Sequence, residues 1–326
     1  MNSPNAAVSS VARPPRPAAT LLVVRDGAAG MEVLMLRRSD AGGDRNSGAA
    51  VFPGGVLDAH DRALHRWCSN VDDAEASRRL ELPAHGLDFY ISAIRECFEE
   101  AGLLFACHAD GRLVDLDALG ADTVAALRHA AQQGGLELQR LCERLNLQLA
   151  VDRLAYLAHW LTPPGLPKRF DTRFFVAACP PGQTALHDGR ETVEHFWLRP
   201  ADAIDPQRGL KLVTVTRHVL QSIAGFASAE ACVGHARLLR GIAVTMPRIA
   251  MAGGVQRPVQ PREPAYAEIG RLDPEGRGDV SADIVPGVPV ALSARVWRVT
   301  APNAGTMTGP GTNSYTSAAA QPTNGR

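Results

Sequence analysis

The sequence has no excess of either charge: 34 Lys and Arg stand against 34 Asp and Glu in 326 residues. That balance argues against a general polyanion-binding surface, so no nucleic-acid partner is expected, while a local basic pocket for phosphates stays open. No apolar run approaches the ~18 residues of a membrane span, and no signal-peptide core opens the chain, so no membrane contact is expected. Cysteines are few and dispersed. The six (Cys68, Cys97, Cys107, Cys142, Cys179, Cys232) form no Cys-x-x-Cys pair. They fit reduced thiols better than a disulfide framework or a structural zinc site. The final Asn324-Gly325-Arg326 is not a peroxisomal Ser-Lys-Leu type ending. Internal repeats are also lacking. The expectation is a cytoplasmic protein of one large or two moderate domains.

Residues 1–17 have little to bury and read as a disordered lead-in. Ala18–Arg25 and Met31–Arg38 are apolar, β-branched runs around Asp26-Gly27-Ala28-Ala29-Gly30, a hairpin by its turn chemistry. Val51-Phe52-Pro53-Gly54-Gly55 reads as a strand entering a tight turn, with glycines that let backbone approach a ligand. A mixed, charged stretch over 62–87 is expected to be helical around Ala74–Leu80. Two helices broken at Gly134-Gly135, strands at Leu154–Leu161, Arg169–Ala178 and Thr192–Leu198, and helices at Val213–Phe226 and Ala229–Leu239 follow. Strands and helices interleave without the βα rhythm of a doubly wound sheet, which predicts an α/β sandwich with a mixed sheet.

The chemistry gathers in Ala93–Leu103. Ile94, Cys97, Phe98 and Ala101 recur as one apolar helix face, with Asp88 as the expected N-cap and Gly102 as the stop. Glu96, Glu99 and Glu100 stack three carboxylates on another face, the last two at the negative end of the helix dipole. Three acids where acids are least welcome point to a hard divalent cation, with Arg95 able to orient one of them. A solvated acidic face is the plain alternative. His159, in an apolar strand, reads as a hydrogen-bonded core histidine.

These residues resemble the Nudix hydrolases. Their signature is a glycine, five free positions, a glutamate, seven free positions, then Arg-Glu-apolar-x-Glu-Glu-x-Gly-apolar. Gly55 opens it, and Arg95, Glu96, Cys97, Glu99, Glu100, Gly102 and Leu103 close it. The mid-box acid is Asp61 rather than glutamate, and residues 62–94 stand where seven are usual, so about 26 are inserted. This interrupted box, with Arg169-Phe170-Asp171-Thr172-Arg173-Phe174-Phe175, resembles the subgroup of the peroxisomal coenzyme A diphosphatase of animals. The resemblance implies a Nudix-type α/β/α sandwich over 18–240, with the insert at 62–87 beside the site and shaping substrate choice. It implies Mg²⁺ or Mn²⁺ held by Glu96, Glu99, Glu100 and the Gly55 carbonyl, with Arg95 holding a carboxylate. Asp61, Glu191, Glu194, Arg37 and Arg38 are weaker site candidates. The implied substrate is a small nucleoside diphosphate derivative, favouring coenzyme A or acyl-coenzyme A. A nucleotide sugar, a dinucleotide, or a non-catalytic ligand sensor on the same fold is the alternative. The sequence leaves the oligomeric state open, a homodimer included.

From Gly241 the composition shifts to Pro, Gly and short apolar runs. Val290–Tyr315 resembles the opening strands of metallo-β-lactamase-fold hydrolases, whose zinc needs imidazole and carboxylate ligands. Here the last histidine is His235 and no cysteine follows Cys232. Residues 241–326 are therefore expected to be an incomplete, loosely packed fragment without hydrolase chemistry, its last dozen residues disordered.

Overall fold

The structure, a computed structural model, describes residues 14–40, 46–132, 135–292 and 295–317. These divide into two units. One comprises Arg16–Trp160 and Phe170–Val244; the other holds the described residues at 14–15, 161–169 and from 245 onward.

The larger unit is built on two apolar runs that form a hairpin, β1 (Arg16–Gly27) and β2 (Gly30–Arg38), in antiparallel register from Val24↔Val33 to Gly27↔Gly30. Two short strands follow, β3 (Ala50–Val51) and β4 (Gly54–Val56), and β4 pairs with Ala18–Thr20 of β1. The insert supplies a 3-10 turn at Asp61–Trp67 and helix α1 (Asp73–Arg79), and the acidic helix is α2 (Gly86–Ala101). A small ladder, β5 (Ala106–Cys107) with β6 (Gln148–Leu149), brackets α3 (Ala121–Ala131) and α4 (Gly135–Leu145). Then come β7 (Ala155–Leu161), β8 (Phe170–Ala178), β9 (Thr192–Leu198), α5 (Pro200–Ile204), α6 (Thr214–Ile223) and α7 (Ala229–Leu238).

The sheet runs β7-β8-β1-β2-β3, with β4 on β1 and β9 on β2. It is mixed: β1 pairs in parallel with β8, Arg16↔Phe170 through Val24↔Ala178, and β2 pairs antiparallel with β9. Successive side chains of β1 serve different cores, which is why its run is almost continuously apolar. Leu21 and Val23 pack with Leu34, Phe175 and the Tyr90, Ile94 and Phe98 face of α2. Leu22 and Val24 pack with Met35, Val176 and the Val219, Leu220 and Ile223 stripe of α6. Each fully buried side chain of this size contributes roughly 1.5–3 kcal/mol of burial. The expected α/β/α sandwich with a mixed sheet is the observed one.

The register of α2 differs from expectation at its start. Asp88 is not the N-cap: the helix begins at Gly86, after His85 in a left-handed conformation (φ 66°). The capping acceptor arrives from the insert, where Asp73 takes the amides of His85 at 2.9 Å and Leu87 at 3.0 Å. Asp88, in the first turn, accepts from Arg62 at 3.1 Å and meets His65 at 2.6 Å. Only glycine fits at 86, since a Cβ there would sit 2.4 Å from the Ser77 backbone nitrogen. The C-terminal end is as expected: Gly102, at φ 70°, donates its amide to the Phe98 carbonyl at 3.0 Å. The insert thus lies along the helix, its 3-10 turn reaching Arg95 through Asp61 and α1 closing the N-terminal end.

In the smaller unit a hairpin, Arg248–Ala252 with Val255–Val259, packs with the helix Tyr266–Leu272 around buried Ala250, Val259, Ala265 and Ile269. A three-stranded sheet joins Val290–Ala291, Val296–Thr300 and Asn313–Ser317. The tail expected to lack structure begins inside that last strand, and residues 318–326 lie outside the described ones, as do residues 1–13 of the lead-in. Arg16 and Pro17 of that lead-in already belong to β1.

Candidate active site

Arg95 is the hub of the site. It is buried, and its Nε donates to Asp61 Oδ1 at 2.9 Å, Nη1 to Glu96 Oε1 at 2.9 Å and Glu99 Oε1 at 3.4 Å, and Nη2 to the Val56 carbonyl at 3.0 Å. One guanidinium fork therefore ties the 3-10 turn, two helix acids and β4 together. Asp61, fully enclosed, also accepts the Asp58 amide at 2.8 Å. Its contacts are to the arginine and the turn, so its place here is to hold Arg95.

The glycines of β4 allow the close approach. A Cβ on Gly55 would lie 2.3 Å from Glu96 Oε1, and one on Gly54 2.6 Å from the Ala19 carbonyl oxygen. The Gly54 amide donates to Glu100 Oε2 at 3.0 Å. Glu100 and Gly54 line a cleft of about 170 Å³ with Arg38, Glu191, Thr172 and Phe174. Asp188 shapes the turn that delivers Glu191, accepting from its amide at 3.1 Å and from Thr192 N at 2.8 Å.

The other two candidates stand apart. Arg37 and Glu194 face one another across β2 and β9, paired at 2.6 Å with half of the Glu194 side chain exposed, and neither lines the cleft. His159 is bonded to Asp171, which Arg173 also contacts at 3.2 Å, in keeping with a hydrogen-bonded core histidine.

Two residues escaped the sequence reading. Arg128 of α3 donates to the carbonyls of Glu99 at 3.2 Å and Glu100 at 2.8 Å, and Gln132 reaches the Glu99 carbonyl at 3.4 Å. α2 has no basic residue in its last turn, so the cation that steadies its negative end comes from another helix. That missing base was the available signal.

The field is strongly anionic. Burial raises Glu96 despite Arg95 beside it, and burial raises Glu99 to about 7 against the same arginine. Burial and then the Glu96 charge lift Glu100 well above the usual carboxylate range. One guanidinium, shared with Asp61, does not neutralise three glutamates.

A family profile described as the NUDT19 Nudix domain matches residues 71–212, which include all three glutamates. The human acyl-coenzyme A diphosphatase NUDT19 is 28% identical over 283 residues, with 74% of each chain covered. The chicken protein of that name is 30% identical over 212 residues; the match spans 53% of this chain and only 55%, about half, of that relative's length. A crystal structure of a NUDIX hydrolase from Alicyclobacillus acidocaldarius, 26% identical, superposes with a TM-score of 0.57 over 71% of this chain and 98% of that one. The chain carries a Nudix hydrolase domain.

Nudix hydrolases use divalent cations, and the site of this Nudix domain suits one. Its donors are carboxylate oxygens, the ligands of a hard cation. Burial raises their affinities for protons, for Glu100 with the Glu96 charge adding to it, and Gly55 leaves open the space that a Cβ would fill beside Glu96. Among the described residues no three His, Cys, Asp or Glu side chains converge as a ready-made cage: Glu96 and Glu99 turn to Arg95, and Glu100 turns to the Gly54 amide.

Proposed function

We propose that this protein hydrolyses the pyrophosphate bond of coenzyme A or an acyl-coenzyme A, giving a 3′,5′-ADP-type product and a phosphopantetheine product. The observation that carries this reading is the Arg95-centred set of Glu96, Glu99 and Glu100 against β4, within a domain whose relatives bear the name acyl-coenzyme A diphosphatase. Glu96, Glu99, Glu100 and the Gly55 carbonyl would hold Mg²⁺ or Mn²⁺. When bound, the cation supplies charge neutralisation on the pyrophosphate oxygens. Arg95 keeps Glu96 and Glu99 oriented, and Asp61 keeps Arg95 in place. Arg38 and Glu191, on the cleft wall, meet the phosphates and add an acid respectively. A water oxygen bonds to one phosphorus, the bridging P–O bond breaks, the bridging oxygen leaves on the other phosphate, and one of the three glutamates takes the water's proton.

Residues 241–326 take no part in this chemistry and hold no zinc, since the sequence after His235 offers no imidazole or thiolate. All six cysteines are free, which supports assignment to the cytoplasm. The test is a panel of coenzyme A, acyl-coenzyme A, a nucleotide sugar and a dinucleotide, assayed with Mg²⁺, with Mn²⁺ and with EDTA. The expected result is metal-dependent turnover fastest on a coenzyme A derivative. Preference for a nucleotide sugar or dinucleotide would replace the substrate assignment. Binding without turnover of anything in the panel would make this a sensor.

A further inference from the structure

A second cavity, of about 560 Å³, opens where the insert meets α2, β7 and the end of α7. That volume lies in the range of small-molecule pockets, roughly 300–1,000 Å³. Its lining brings together five arginines against three acids, Glu75, Glu81 and Asp152, in a chain with no net charge. Arg78 and Arg79 share the single carboxylate of Glu75, at 2.8 and 2.7 Å. Arg153 stands 4.0 Å from Asp152, whereas Arg237 and Arg240 donate only to backbone carbonyls among the described residues. The wall also includes Tyr90, fully buried, whose hydroxyl lies beside the Arg79 guanidinium and has no acceptor for its proton among the described residues. A buried hydroxyl whose proton finds no acceptor is unfavourable, so such groups generally have an acceptor waiting in solvent or ligand. Tyr156 and Leu154 supply an apolar side.

This is not the catalytic cleft. The two cavities share no lining residue. Tyr90 and Glu99 lie nine positions apart on α2, which is about 13 Å of rise and two and a half turns, and so places them on opposite faces of the helix.

We infer that this cavity is a second ligand site, which takes a phosphorylated small molecule. The guanidiniums gather the phosphate, the Tyr90 hydroxyl donates to one of its oxygens, and the organic part lies against Tyr156 and Leu154. The insert then has a defined task, since α1 forms one wall of the pocket while Asp73 closes the start of the catalytic helix. A ligand here clamps that end of α2.

The experiment is isothermal titration of the full chain in EDTA, with AMP and with inorganic phosphate as probes, so that no divalent cation recruits either to the glutamates. The expected result is one AMP per chain, bound more tightly than phosphate, with a rise in melting temperature. The double variant Arg153→Glu/Arg240→Glu should weaken AMP at least about tenfold. Tyr90→Phe, which removes one oxygen, should weaken it roughly ten- to a hundredfold, the worth of one hydrogen bond to a charged group, while melting no lower than the wild type. Absence of binding by both probes in EDTA would overturn the inference, as would binding that neither variant disturbs. AMP that binds only after Mg²⁺ is added, and not to E99Q, reports the catalytic cleft and overturns it equally.

Discussion

At its N-terminal end α2 meets acids where a helix welcomes them, and at its C-terminal end it carries acids where it does not. Asp73 takes two free amides at the first end, and Asp88 sits in the first turn with Arg62 and His65 beside it. At the other end Glu99 and Glu100 crowd the dipole's negative pole, with Arg128 from another helix holding the last carbonyls. Burial lowers the affinity of the second group for its own charges, while the first group is neutralised in place. One end of the same helix is built for stability, and the other carries the set proposed to react.

The largest effect should come from undoing the reactive end. Glu99→Gln or Glu100→Gln is expected to lower kcat by about 10²–10⁴-fold, the usual worth of a group that positions or moves a proton, with the melting temperature kept or raised because burial already opposes the carboxylate's charge. Steady-state kinetics beside calorimetric melting separates the two readouts; wild-type turnover in both variants would dismiss the site.

Next comes the hub. Arg95→Ala leaves Asp61 buried without its partner, and breaking a buried pair in that way costs about 3–5 kcal/mol. Urea unfolding should show that loss, and Arg95→Ala/Asp61→Asn should recover part of it without restoring activity. Full additivity of the two changes would mean that the pair is not coupled.

The smallest effect belongs to the quiet end. Asp73→Ala should cost about 1–2 kcal/mol, as lost helix caps do, with kcat within a few-fold of wild type. Burial opposes ionisation of Asp73, yet the Leu87 and His85 amides hold its pKa below the usual carboxylate value. A depressed native pKa means that the contribution is complete above the unfolded carboxylate pKa and disappears as pH falls through the native one. Melts of variant and wild type should therefore differ at pH 7 and converge in strong acid. A gap that persists there would assign the effect to something other than the ionised cap.

Much of this was legible in the residues. The spacing of Ile94, Cys97, Phe98 and Ala101 gave the face of α2, and its three glutamates marked the candidate site, because helix periodicity and like-charge crowding are local properties of the chain. The same locality hid the rest. Asp73 is separated from the helix it caps by a turn through left-handed His85, so Asp88, nearer in sequence, looked the better cap. Arg128 reaches the site only because α3 packs against α2, which no spacing rule in one chain encodes. Asp61 is a weaker site candidate by spacing alone, and its burial against Arg95, 34 positions away, is not encoded in that spacing.

The parallel pairing of β1 with β8 has a consequence for how the protein is made. Arg16 and its partner Phe170 are 154 positions apart. At roughly 5–20 residues per second, a ribosome needs about 8–30 s to synthesise the second strand after the first has emerged. Through that interval the strand at the centre of the future sheet has an open side, although the whole acidic helix has already been made. The nascent domain therefore carries its acidic helix well before it owns the strand that pairs along the open side of β1, and that slow, non-local pairing must precede the finished fold.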